Sequence, residues 1–198
     1  EVGIFCSLLE IPIIPREVSF EDIPFTYSNF KSMTPWRREQ HAAGRFCLHS
    51  IIHKANINCV DISEVYPLTI QTQIGIKPIS ISHCDSIAVA VLGLNCDSIG
   101  VDIESNDRVI STVILDQFCS TEEIRELMTA SPSERLEKWM IKEAVSKAIG
   151  DGMSIAKEVQ IVGDNAYYQS SIFRLIRHQY ERHNIIIAID HSDSSMDS

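Results

Sequence analysis

Between Ile99 and Glu104 the chain alternates strictly, with Ile99, Val101 and Ile103 apolar and Gly100, Asp102 and Glu104 between them. A strand of that period turns both acids to one face, two residues apart. Two apolar, β-branched runs precede it, Pro78–Ser82 and Ile87–Leu92, divided by turn residues at Asp85-Ser86 and 95–98, so a three-strand meander is predicted. Further upstream, Thr34 is a capping side chain and Pro35 suits a first helical turn; Ala42, Phe46, Ile51, Ile52 and Ala55 carry that helix to about Asn56.

Downstream the period changes to that of helices. Thr121–Met128 reads as a short helix opened by Glu122 and Glu123. Ser131-Pro132-Ser133-Glu134 is a capping box with proline at the first helical position, and Gly150 is a natural terminator, which predicts a helix over Pro132–Ile149. The apolar positions Val109, Ile110, Val113, Ile114, Leu115 and Phe118 suit another helix facing a core. Glu158–Val162, Tyr167–Ile176 and Asn184–Ile189 then read as a second set of three strands, with a turn at Gly163-Asp164-Asn165. The order predicts an α+β fold of two similar halves, residues 1–100 and 101–190, with a loose polar tail over 191–198. Asp102 and Glu104 fall near the seam, where ligand sites often form.

Composition narrows the partners. The chain has 198 residues, 44% hydrophobic and 22% charged, as expected of a globular protein with a full core. Its formal net charge of −10 argues against sequence-independent affinity for nucleic acid or anionic membranes, so an anionic ligand must be met by a local basic cluster. Six scattered cysteines contain no C-x-x-C pair, which fits free, buried thiols in a reducing cytoplasm rather than a zinc site or disulfide scaffold. The apolar opening from Val2 to Ile14 is broken by Glu10 and Pro12 and does not read as a signal peptide, and no stretch approaches a membrane span.

Four clusters bear chemistry. Asp102 and Glu104 could share one cation, and Mg²⁺ commonly combines one or two carboxylates with substrate phosphates. In Trp139-Met140-Ile141-Lys142-Glu143-Ala144-Val145-Ser146-Lys147, Glu143 and Lys147 stand one helical turn apart, with Lys142 beside them. Arg37 and Arg45 lie about two turns apart, and arginine forks suit phosphate oxygens. Ser82 and His83 end a strand; their adjacency turns them to opposite faces, so a hydroxyl and an imidazole that bind a phosphate or nucleotide are a better reading than a nucleophile pair. Each cluster alone is also compatible with ordinary surface charge or a structural turn.

Taken in order, Arg37 to Arg45, Ser80 to His83, Gly100 to Glu104 and Trp139 to Lys147 resemble the motifs of the surfactin-type 4'-phosphopantetheinyl transferases, in appearance the branch containing enterobactin synthase component D. The resemblance implies the two-half transferase fold, each half a small antiparallel sheet packed with helices in pseudo-twofold arrangement. It also implies Mg²⁺-dependent transfer of the phosphopantetheine arm of coenzyme A to a serine of an apo carrier protein, with release of adenosine 3',5'-bisphosphate, in siderophore or nonribosomal peptide synthesis. By position, Asp102, Glu104 and Glu143 would hold the metal, and Glu143, Lys147 and Asp102 would be the catalytic set. Arg37, Arg45, Ser82, His83, Lys142 and Lys147 would bind coenzyme A. Glu143 is the candidate base, ligand or both. The region 105–128 would help to meet the carrier, and two halves in one chain could build the site within a monomer. A basic residue before proline, which the family places further upstream of S-H, stands here as Lys77-Pro78, and Tyr66-Pro67 occupies the family's place. A magnesium-dependent nucleotide pyrophosphate hydrolase and a noncatalytic carrier-binding module are the alternatives.

Overall fold

The computed structural model describes residues 3–11, 32–63 and 65–190. The first half runs β1 (Ile4–Glu10), α1 (Pro35–Lys54), β2 (Cys59–Ile62), β3 (Thr69–Thr72), β4 (Gly75–His83) and β5 (Ile87–Gly93). The second runs β6 (Ile99–Ser105), α2 (Thr112–Phe118), α3 (Thr121–Thr129), α4 (Pro132–Ile149), β7 (Gln160–Val162), β8 (Asn165–Tyr168), β9 (Ser171–Tyr180) and β10 (His183–Asp190). The two five-stranded antiparallel sheets have orders β1-β5-β4-β3-β2 and β6-β10-β9-β8-β7. Each half therefore follows the same path: a strand, a helical crossover, then a meander whose last strand returns beside the first. The fold is α+β and consistent with a pseudo-twofold pair of halves.

Alternation along the strands makes three buried layers. On β5, Ala88, Ala90 and Leu92 pack under Leu48 and Ile51 of α1. The opposite face, Ile87, Val89 and Val91, meets Ile99, Val101 and Ile103 of β6 and Ile185, Ile187 and Ile189 of β10. Each such side chain contributes about 1.5–3 kcal/mol on burial, so apolar packing holds the halves together at the seam. The remaining face of the second sheet packs on Met140, Ala144, Val145 and Ala148 of α4. Gly100 permits that approach, because a Cβ there would lie 1.8 Å from the Ala144 carbonyl oxygen. Any side chain at 100 would push β6 away from α4.

The capped helices end where expected. Thr34 Oγ1 accepts from Arg37 N, and Ser131 and Glu134 form the reciprocal capping box of α4, which stops at Gly150 with φ 97°. Other expectations change. Tyr167–Ile176 is two strands rather than one, because Gln169 adopts φ 52° and turns β8 back into β9. No glycine or asparagine marks that turn. The second sheet thus has a four-strand meander, and β7 begins only at Gln160. The tail expected over 191–198 lies outside the described residues. Among the described side chains five cysteines are free, but Cys6 is exposed and Cys84 and Cys96 are half-buried; burial pushes the Cys47 and Cys119 thiols up to about 12 and about 11. No helix among the described residues is long and apolar enough to cross a membrane.

Candidate active site

Strand β4 faces the second half with alternate residues, and these are serines. Ser80 Oγ accepts a 3.1 Å hydrogen bond from Val101 N, satisfying a backbone donor on the outer edge of β6. Ser82 Oγ donates to Asp102 Oδ1 at 2.9 Å. From α4, Lys147 Nζ donates to the same Asp102 oxygen at 2.7 Å and to Ser82 Oγ at 2.9 Å. Glu143 Oε2 stands 3.9 Å from Lys147 Nζ. Asp102, Glu143, Lys147 and Ser82 therefore meet, the serine crossing from the other half.

Negative charge is crowded here. Asp102 and Glu104 are both buried on β6. Burial raises the Glu104 pKa to about 7, and the neighbouring Asp102 charge adds to it against Arg108 and Lys147. Burial also raises Glu143, with Lys147 opposing and Asp102 adding. Burial acts to lower Lys147, but Asp102 and Glu143 outweigh it and its pKa is raised. Among the described residues nothing hydrogen-bonds the buried Asp102 Oδ2. An orphaned carboxylate oxygen beside two acids of raised pKa is suited to a cation, and an all-oxygen donor set suits Mg²⁺ rather than zinc. Among the described residues no three acidic, imidazole or thiol groups lie close enough together to hold a metal ion. Lys147 and Arg108 hold Asp102 and Glu104 instead.

The basic cluster lies beside this network. Arg37, His41 and Arg45 recur every four residues on α1 and line a cavity of about 260 Å³ with Gln40, Tyr66 and His83. Gly44 lets α1 lie close to β4, since a Cβ there would meet Ile81 Cγ2 at 2.6 Å. Burial, Arg45 and His83 lower the His41 pKa to about 4. Burial lowers His83 as well, followed by the charges of Arg37 and Lys147, with Asp102 among those opposing. His83 thus feels both clusters. A positively charged hollow with two neutral imidazoles is suited to anionic, hydrogen-bonding groups such as phosphates.

Residues 98–188 match the family model of the 4'-phosphopantetheinyl transferase superfamily. The matched stretch holds Asp102, Glu104, Glu143 and Lys147 and ends within β10, whereas Arg37, Arg45, Ser82 and His83 lie before it. No curated protein matches the chain. The match covers most of the second half, and Ser82 of the first half joins the acid-lysine network that lies within it.

Lys142 does not join that network. It is wholly buried, and its Nζ donates to Glu123 Oε2 at 2.9 Å, Ala156 O at 2.7 Å and Val159 O at 3.1 Å. All three ammonium donors are used. The expectation that Lys142 meets coenzyme A is corrected: neighbours on a helix diverge by about 100°, so Glu143 reaches the seam while Lys142 points into the core. Ser82 also shifts role, leaving His83 to face the basic cavity. Lys77 is spent on Leu94 O at 2.8 Å. Sequence reasoning missed Gln40, His41 and Arg108. The four-residue spacing of Arg37, His41 and Arg45 was a usable signal for the histidine, but Arg108 lies beyond the strand in a turn and carried none.

Proposed function

We propose that the chain transfers the 4'-phosphopantetheine group of coenzyme A to a serine of an apo carrier protein or carrier domain, with release of adenosine 3',5'-bisphosphate and with Mg²⁺ as cofactor. The observation that carries this reading is the meeting of Asp102, Glu143 and Lys147 with Ser82 at the seam, beside the cavity of Arg37, His41, Arg45 and His83. The cavity would take the nucleotide phosphates. Lys147 would balance charge on the pyrophosphate as it divides. Glu143, made more basic by burial, would accept the serine proton. The serine oxygen forms a bond to the pantetheine-side phosphorus, the bridging P–O bond breaks, and its electron pair leaves on the bisphosphate. Mg²⁺ held by Asp102, Glu104 and Glu143 would supply Lewis-acid neutralisation of the pyrophosphate. Carrier domains of siderophore and nonribosomal peptide synthetases are the acceptor class we infer, from the order of the four motifs. The test is incubation with coenzyme A, Mg²⁺ and apo carriers, followed by intact-mass analysis. A phosphopantetheine increment on the carrier supports the reading. Its absence across several carriers, with release of adenosine 3',5'-bisphosphate to water instead, would make the protein a hydrolase.

A further inference from the structure

Beyond β6 the chain makes a closed turn. Asp107 N donates to Ser105 Oγ at 3.3 Å, Arg108 N to Ser105 O at 3.0 Å, and Asn106 N to Arg182 O at 2.8 Å. The turn brings Arg108 back over the end of its own strand, where Nη1 donates to Glu104 Oε1. The guanidinium also lies over Trp139, 5.5 Å from the ring centre, and the ring is braced by Phe118 edge-on at 4.9 Å. Arg108 is thus gripped between a carboxylate and an aromatic face, two contacts that suit its planar cation. It approaches from a groove that it lines with Gln40, His83, Asp85, Asp107 and His183, and its side chain is 40% exposed against 10% for Glu104.

The same carboxylate is a proposed metal ligand, and the two demands conflict. A divalent ion on Glu104 would sit beside the guanidinium, where like charges repel. Arg108 holds Glu104 and Lys147 holds Asp102, so each strand acid already has a cationic partner. Trp139 offers the displaced arginine a second foothold.

We propose that Arg108 is a built-in counter-ion of Glu104, occupying that carboxylate in the metal-free enzyme and displaced along the Trp139 ring when a divalent cation binds. The inference rests on the reading of Asp102 and Glu104 as metal ligands. It makes Arg108 a residue that sets metal affinity and keeps the buried acids compensated when no metal is bound.

The experiment uses the full chain with Trp36→Phe, which leaves Trp139 as the sole tryptophan, and Mg²⁺ alone at constant ionic strength. Mg²⁺ should change Trp139 emission saturably and raise the melting temperature with the same midpoint. With Arg108→Ala the emission change should disappear and the midpoint of thermal stabilisation should fall several-fold. Arg108→Gln, which keeps a donor without the charge, provides a second variant and should also lower the midpoint. Arg182→Ala removes a charge beside the same turn and should leave both readouts unchanged. An unchanged or higher midpoint in the Arg108 variants, or an emission change that survives them, overturns the counter-ion while the metal site stands. No saturable response to Mg²⁺ in any of the proteins overturns the metal reading and this inference with it.

Discussion

Ser82 on β4 donates a 2.9 Å hydrogen bond to Asp102 Oδ1 on β6, so a side chain of the first half completes a carboxylate of the second. Two residues earlier Ser80 holds the backbone of Val101. The two serines share a strand and a face but divide the work. Ser80→Ala leaves a buried N–H unpaired and should cost about 1–3 kcal/mol of stability, with transfer per folded molecule retained. Ser82→Ala should cost about 1 kcal/mol of stability and lower transfer ~10-fold, because Lys147 and Asp102 lose their shared partner. Urea unfolding beside single-turnover transfer separates the two. Equal losses of activity would contradict the division.

The two lysines of the α4 motif should behave oppositely. Lys142 is enclosed by Glu123 and two carbonyls that join α4 to α3 and to the segment at 156–159. Lys142→Met leaves the Ala156 and Val159 carbonyls without their donor, while Glu123 keeps Lys138 and Ser120 N, and should destabilise by about 1–3 kcal/mol for each carbonyl. The surviving folded enzyme should still transfer. Lys147→Met should be less destabilising, since that side chain is 23% exposed, yet should reduce transfer by at least ~100-fold. The reverse ordering, measured by denaturant midpoints and transfer rates, would return Lys142 to the substrate.

These contrasts mark where the chain was legible. Capping chemistry and an alternating strand are local, so α1, β6 and α4 could be read with few errors, and with them the carboxylates and Lys147. The repeat of fold between halves leaves no repeat of sequence, because what recurs is only the position of apolar side chains along β5, β6 and β10. The turn at Gln169 was hidden because a glutamine accepts the left-handed conformation there without the usual residue signal. Lys142 was misplaced for a different reason. A motif fixes spacing along a helix, but which side of α4 meets the seam depends on Gly100 and the depth to which β6 packs. Arg108 depends on a turn whose closure involves Arg182, between β9 and β10 and far along the chain.

His41 should give the ligand-free protein a pH-dependent stability. Burial, Arg45 and His83 hold its folded pKa at about 4, below the ordinary 6.5. Between those values the unfolded chain binds a proton that the folded chain refuses, so stability falls as pH drops from 6.5 toward 4 and is indifferent to this group above 6.5. Melting temperatures at several pH values should show the decline in the wild type and a shallower one in His41→Gln. Equal slopes would mean that the histidine titrates alike in the folded and the unfolded chain.

Glu143 carries the sharpest prediction. Glutamine keeps the shape and can still lie near Lys147, but it cannot take a proton or supply a negative charge. The acids at Asp102 and Glu143 repel, as the raised Glu143 pKa reflects after burial. Glu143→Gln should therefore fold with unchanged or slightly greater stability near pH 8. Transfer should fall by about 10²–10⁴-fold, the range expected for loss of a general base. Mg²⁺ binding then separates its two proposed duties. A midpoint equal to that of the parent, with transfer lost, makes Glu143 a base that leaves the metal to Asp102 and Glu104. A midpoint shifted in step with transfer makes it a ligand. Near-normal turnover would remove Glu143 from both roles and leave Lys147 and Asp102 as the reacting pair.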